Sequence, residues 1–252
     1  MSTDPIPVSG ESTVNTITAS RQYDVRMKAL ADGGHLAIWT SDSFTTPPGG
    51  GTPIRRSDLK GQFLAADGTP VGGEFTITGP EHQQARAETA WISELSDGNL
   101  LITWQHADDL FSRIYAPGGD AVTGVTVLHD SPTPPDTGLV TRTKTTTIAT
   151  DDGGFWMAFA GNPDANYDLW LRKYDAAGAQ IGGDIKLTDT APLVTPSSPQ
   201  MVALADGRAV VAWSEEAAAL HFTILGPDGT PEAAPAQIMT GNTGSPTLIA
   251  LA

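Results

Sequence analysis

The chain has 252 residues, a formal charge of −15, no cysteine, 17% charged residues, 27 glycines and 19 prolines. A polyanion without clustered Lys and Arg is excluded as a nucleic-acid binder, because phosphate contacts need such clusters. The absence of cysteine excludes a disulfide scaffold, a thiol nucleophile and a thiolate-ligated metal. A hydrophobic share of 39% is enough for a core. No apolar run approaches the roughly 20 residues of a membrane span, so no membrane insertion is expected, and no signal-peptide pattern follows Met1.

In chain order, Gly10-Glu11 to Val14 matches Gly73-Glu74 to Ile77, so the chain is expected to open on a strand over 10–16. Four repeats follow, at about 24–78, 88–128, 143–188 and 198–240. The first pairs Leu30-Ala31-Asp32-Gly33 with Trp39, and the second pairs Leu95-Ser96-Asp97-Gly98 with Trp104. The third pairs Thr150-Asp151-Asp152-Gly153 with Phe159, and the fourth pairs Leu204-Ala205-Asp206-Gly207 with Trp213. In every repeat the aromatic lies 7 residues after the Asp of the Asp-Gly turn. Asp-Gly between apolar runs signals a hairpin, since Gly supplies the positive φ of a tight turn. The strand after each turn is apolar at successive positions, as in Leu100-Leu101-Ile102, which indicates burial on both faces. A third strand ends in Leu64, Tyr115, Tyr174 or Leu225, each 4 residues before a second turn glycine, and a fourth strand follows. Ser245-Pro246 to Ala252 matches Ser198-Pro199 to Ala205, so a last strand is expected over 246–252. Radially repeated four-stranded antiparallel units are the mark of a β-propeller. The expectation is therefore an all-β propeller, a single domain over 1–252, with four units and extra terminal strands that close the ring, form part of a fifth blade or pair with a second copy.

The repeat text includes Leu30-Ala31-Asp32-Gly33-Gly34, Val210-Val211-Ala212-Trp213-Ser214, Tyr174-Asp175 to Gly178, Val71-Gly72-Gly73-Glu74-Phe75 and Val14-Asn15-Thr16. It resembles a repeat of large bacterial surface and type-I-secreted proteins, which often also carry hemolysin-type calcium repeats. The resemblance implies propeller blades serving as adhesion or ligand-binding platforms, and a secreted or cell-surface location. The glycine-rich calcium nonapeptide of such proteins is absent from this chain.

Metalloprotease, nucleophile-elbow, phosphate-loop and dinucleotide motifs are all missing. Asp108-Asp109 and Glu215-Glu216 are carboxylate pairs of the kind glycoside hydrolysis uses, although adjacent acids on a loop are also an ordinary solvated surface. Asp164, Asn166 and Asp168 have the spacing of a calcium loop. The position after Asp168 is Leu169 instead of Gly, and a loop capped by Asx turns is the competing reading. The recurrent aromatics read as packing between units. Trp170, beside the Asp-rich loop and next but two to Tyr167, breaks the repeat and is the best aromatic candidate for a ligand. A long insertion over 40–58 carries Arg55-Arg56, which could engage an acidic sugar or a carboxylate. The leading expectation is a non-catalytic binding module for carbohydrate or another surface ligand, acting through loops on one face. Alternatives are a glycoside hydrolase or lyase using loop carboxylates, and an assembly subunit joined through its terminal strands.

Overall fold

The computed structural model describes residues 13–18, 21–79, 88–106, 109–129, 145–161, 168–189, 196–215, 219–241 and 246–248. The first sheet comprises β1 (Gln22–Ala29), β2 (His35–Thr45), β3 (Ile54–Leu64) and β4 (Pro70–Thr76). The second comprises β5 (Glu88–Glu94), β6 (Leu100–His106), β7 (Asp109–Tyr115) and β8 (Thr126–His129). The third comprises β9 (Thr146–Ala149), β10 (Phe155–Gly161), β11 (Asp168–Tyr174) and β12 (Gln180–Lys186). The fourth comprises β13 (Pro196–Ala203), β14 (Ala209–Glu215), β15 (Ala219–Leu225) and β16 (Ala236–Thr240). Every sheet is ordered as its strands follow in the chain, and the paired strands are antiparallel. The four expected four-stranded units are thus present. Of the expected terminal strands, residues 13–16 and 246–248 are described and are not strand, and the rest of both segments lies outside the described residues. The chain divides into two compact bodies, Met1–Glu88 with the first sheet and Thr89–Ala252 with the other three.

The Asp-Gly turns have two working parts. Gly33, Gly98, Gly153 and Gly207 all take φ between 82° and 88°, a region that costs other residues steric strain. The preceding Asp accepts a hydrogen bond from the backbone N–H two residues on: Asp32 from Gly34 (2.8 Å), Asp97 from Asn99 (2.9 Å), Asp152 from Gly154 (3.1 Å) and Asp206 from Arg208 (3.2 Å). Each is an Asx turn, which explains why the repeat specifies Asp as well as Gly. The second turns repeat the device at Asp67 with Thr69 and at Asp228 with Thr230.

In the second body the strand buried on both faces is seen most clearly in β10, all seven residues of which are buried. Phe155, Met157 and Phe159 cluster with Leu101, Leu110, Ile114 and Leu128 of the second sheet. Trp156 and Ala158, on the opposite face, cluster with Met201, Val211, Trp213 and Leu225 of the fourth. Alternate side chains of one strand therefore serve two neighbouring sheets. The recurrent aromatics are all buried: Trp104 and Trp213 are 0% exposed, and Trp39 and Phe159 are 3% exposed, with Phe159 and Trp213 in the two clusters just described. Between the second and third sheets, the Leu128 carbonyl accepts from Tyr174 Oη (3.1 Å) and Arg172 Nη1 (2.9 Å). Burial pushes the Tyr174 phenol up to about 12, so it remains a donor across the working pH range.

Candidate functional site

Two kinds of polar group lie at the ends of β2, β3, β10 and β11 that are remote from the Asp-Gly turns. The first kind belongs to the repeat. Asp58 and Asp168 occupy the same position, two residues before the partner of the recurrent aromatic (Lys60 opposite Trp39, Trp170 opposite Phe159). Thr78 Oγ1 donates to Asp58 Oδ1 (3.2 Å) and Thr188 Oγ1 donates to Asp168 Oδ1 (3.0 Å). The same hydroxyls accept from the Leu59 and Leu169 amides. Each device pins the end of the fourth strand to the start of the third. Asp168 is fully buried, and Lys186 Nζ lies 2.9 Å from its Oδ2. A cation at Asp168 would have to displace that ammonium. Asp164, Asn166 and Tyr167 lie outside the described residues, and among the described residues no group of three His, Asp or Glu is placed to hold a metal.

The second kind departs from the repeat and lies in the first body. The expected loop over 40–58 is shorter than the sequence indicated: β2 and β3 run to 11 residues each, and the pairing continues from Ser41↔Asp58 out to Thr45↔Ile54. Residues directly opposite on antiparallel strands share a face, as do alternate residues along one strand. Tyr23 opposite Thr40, Asp42 opposite Ser57 and Phe44 opposite Arg55 therefore share one face. Arg56, opposite Ser43, lies on the other.

Asp42 is the centre of that face and its side chain is only 3% exposed. Arg55 Nη2 lies 2.6 Å from Oδ2, Ser57 Oγ donates to Oδ1 at 2.7 Å, and Tyr23 Oη is 3.4 Å from Oδ1. Arg55 Nη2 also donates to Tyr23 Oη (3.2 Å), and the Asp42 amide donates to the Arg21 carbonyl (2.9 Å). Burial by itself would raise the Asp42 pKa. The hydrogen bonds from Arg55 and Ser57 and the Arg55 charge outweigh it and hold the carboxyl below its ordinary range, so it is ionised at neutral pH. Arg55 keeps 32% of its side chain exposed, and Phe44 is 63% exposed on the same face. Next to Tyr23, Asp24 presents an exposed carboxyl in the left-handed region at φ 55°, where the pairing of β1 with β2 is interrupted between Tyr23 and Arg26.

The other repeats differ in sequence at these positions. Where Asp42 stands, they carry Ala107, Asn162 and Glu216, and where Tyr23 stands, Glu88, Thr143 and Ser197. The sequence offers Arg55 and Arg56 to an acidic sugar or carboxylate ligand; in the structure Arg55 is paired with Asp42 of its own hairpin. The sequence reading passed over Tyr23, Asp24, Asp42, Phe44 and Ser57. The legible signal was their departure from the repeat.

The remaining candidates are separate. Asp109 begins β7 and Asp108 lies outside the described residues. Glu215 ends β14, with Trp213 Nε1 donating to its Oε1 (3.3 Å) and His221 Nε2 lying 3.3 Å from its Oε2. Glu216 lies outside the described residues. Trp170 packs partly against the core shared by the second and third sheets, with Lys186 Nζ 5.7 Å from its ring centroid.

No protein-family model matches the sequence, and no curated protein matches it. Solved structures do share the fold. A protein of unknown function from Dyadobacter fermentans is 11% identical with a TM-score of 0.59, over 92% of this chain and 68% of that one. The Penicillium chrysogenum α-L-arabinanase complexed with arabinobiose is 13% identical with a TM-score of 0.58, over 90% and 69%. The Fusarium graminearum α-L-arabinofuranosidase of glycoside hydrolase family 93, also with arabinobiose, is 12% identical with a TM-score of 0.53, over 92% and 71%. The fold is the β-propeller. The leading expectation of a non-catalytic binding module is corrected by these neighbours, since those whose function is named cleave glycosides. The carbohydrate half of that expectation agrees with the arabinobiose they bind.

Proposed function

We propose that the chain is a glycoside hydrolase acting on L-arabinose-containing saccharides, and that its active face is the Asp42 face of the first sheet. The observation that carries this reading is the ionised, buried Asp42 holding Arg55 and Tyr23 on the face that also carries the exposed ring of Phe44, with the exposed Asp24 next to Tyr23 in the chain. Each part has work to do on a sugar. An aromatic ring offers an apolar surface to the C–H face of a pyranose or furanose, and a guanidinium donates in a fixed fork to ring hydroxyls. Asp42 has both carboxylate oxygens engaged, so it acts as a positioning residue that fixes Arg55 and Tyr23. Asp24, next to Tyr23 in the chain and open to solvent, is the carboxyl proposed to exchange a proton with the glycosidic oxygen or with water. The propeller fold shared with the arabinan-cleaving enzymes supports the choice of reaction and substrate class.

The test is release of arabinose from an aryl α-L-arabinofuranoside and from debranched arabinan. Release is expected from the unaltered chain, with kcat lowered at least a hundredfold in Asp24→Asn. No release from any arabinose-containing substrate would overturn the proposal, as would full activity in Asp24→Asn.

A further inference from the structure

In the second body a cleft of about 330 Å³ opens between the third and fourth sheets at their Asp-Gly turns, at the low end of the ~300–1,000 Å³ usual for small-ligand sites. Three residues of its lining depart from the repeat. Trp156 stands where the other repeats carry Leu36, Leu101 and Val210. Lys173 replaces Phe63, Ile114 and Ile224, and Arg208 replaces Gly34, Asn99 and Gly154.

Lys173 is placed by its surroundings. Its ammonium lies 5.6 Å from the centroid of the Trp156 ring. Its stem crosses the turn at Gly229, where a Cβ would come within 2.7 Å of Lys173 Cε. Its charge acts on the nearby carboxylates of Asp152 and Asp228, but among the described residues the ammonium makes no hydrogen bond or ion pair, and neither does the exposed carboxylate of Asp151. The other charges of the cleft are committed. Asp152 accepts from Thr150 Oγ1 and the Gly154 amide, and Arg208 is paired with Asp206 (2.8 Å) and Glu232 (3.3 Å).

The cleft thus offers one donor and one acceptor without a hydrogen-bond partner among the described residues, and its lining carries charges of both signs, at Asp151, Asp152, Lys173 and Arg208. A charged ligand would meet a like charge on one wall. A neutral polyol would not, since its hydroxyls both accept from Lys173 and donate to Asp151, while its C–H groups lie against Ile148 and Ile181, which also line the cleft.

We infer that this cleft is a second binding site, for a neutral mono- or disaccharide, separate from the Asp42 face. The choice of a saccharide among neutral polyols rests on the hydrolase reading; the presence of a polyol site does not. The experiment is a titration with L-arabinose, which cannot be cleaved further, followed by calorimetry and by tryptophan fluorescence, because a ligand that engages Lys173 alters the environment of Trp156. Binding is expected in the full chain and in Asp24→Asn. It should weaken at least tenfold in Lys173→Met, which keeps the stem over Gly229, and in Lys173→Ile, which restores the residue of the second and fourth repeats. Release from the aryl arabinofuranoside should be unchanged in both Lys173 variants. Equal affinity in the full chain and both Lys173 variants would overturn the site, as would no detectable binding. Cleavage is measured in the same preparations, so failure of the hydrolase reading shows as absent release and failure of this site as absent binding.

Discussion

Two buried aspartates, Asp42 on β2 and Asp168 on β11, look alike by exposure (3% and 0% for their side chains) and both are ion-paired. They differ in what the rest of the chain says about them. Asp168 has a counterpart in Asp58, with the same threonine partner and the same backbone contact, so its role is part of every unit that carries it. At the position of Asp42 the other units carry Ala107, Asn162 and Glu216, so only the fourth keeps an acid there, and none has a tyrosine at the position of Tyr23. In a repeat protein, what recurs is explained by the scaffold, and what occurs once needs a local reason. Burial and pairing alone would have ranked the two equally.

The contrast can be broken by substitution. The largest effect on stability is expected at Asp168→Ala, which leaves the Lys186 ammonium without its buried partner and the Thr188 hydroxyl without its acceptor. The loss should be about 3 kcal/mol, read by chemical denaturation, and Asp58→Ala should follow the same pattern at about 1 kcal/mol because Asp58 is partly exposed and its described partner is a single hydroxyl. Asp42→Ala should cost about 2–3 kcal/mol, close to Asp168→Ala, because the cations left behind, Arg55 and Lys186, keep similar shares of their side chains in water (32% and 28%). A cost at Asp42→Ala below about 0.5 kcal/mol would contradict the buried pairing of Asp42 with Arg55 and Ser57.

A smaller effect is expected from pH. Asp42 has its carboxyl held below the ordinary value, and so do the turn residues Asp67, Asp152, Asp206 and Asp228, which accept hydrogen bonds from Thr69, Thr150, Arg208 and Thr230. A carboxyl depressed in the folded state contributes stability that is fully present above the unfolded value of roughly 3.9 and is lost as pH falls through the folded value. Denaturation midpoints should therefore be flat from pH 7 to about pH 5 and decline below about pH 4. Asp42→Asn should remove part of that decline. A midpoint that rose on acidification would contradict the hydrogen-bonded turns.

The fold was legible because its signals are local and repeated. An Asp-Gly pair fixes a turn within four residues, and the aromatic 7 residues later fixes the face and register of the strand. The Asp42 face was not legible because it depends on a register that no local signal sets. Asp42 and Arg55 lie 13 residues apart in a stretch rich in Gly, Pro, Ser and Thr that reads as loop, and only the continued pairing of β2 with β3 brings them to one face. Asp168 is the opposite case: its Asp-x-Asn-x-Asp spacing is a local signal for a metal, and the partners that the structure gives it, Thr188 and Lys186, lie 20 and 18 residues further on, beyond the reach of a local signal. The acidity of the chain, by contrast, has a partial cause that composition could not show, since the turn aspartates are required as acceptors.

The central claim is that the Asp42 face, and not the repeat scaffold, carries a glycoside-cleaving activity. It is tested most directly by kcat for release from an aryl α-L-arabinofuranoside in Asp42→Asn set against Asp58→Asn, both confirmed folded. Asp42→Asn should lower kcat at least tenfold while Asp58→Asn leaves it within twofold of the unaltered chain. Equal rates in the two variants, or a greater loss in Asp58→Asn, would contradict it.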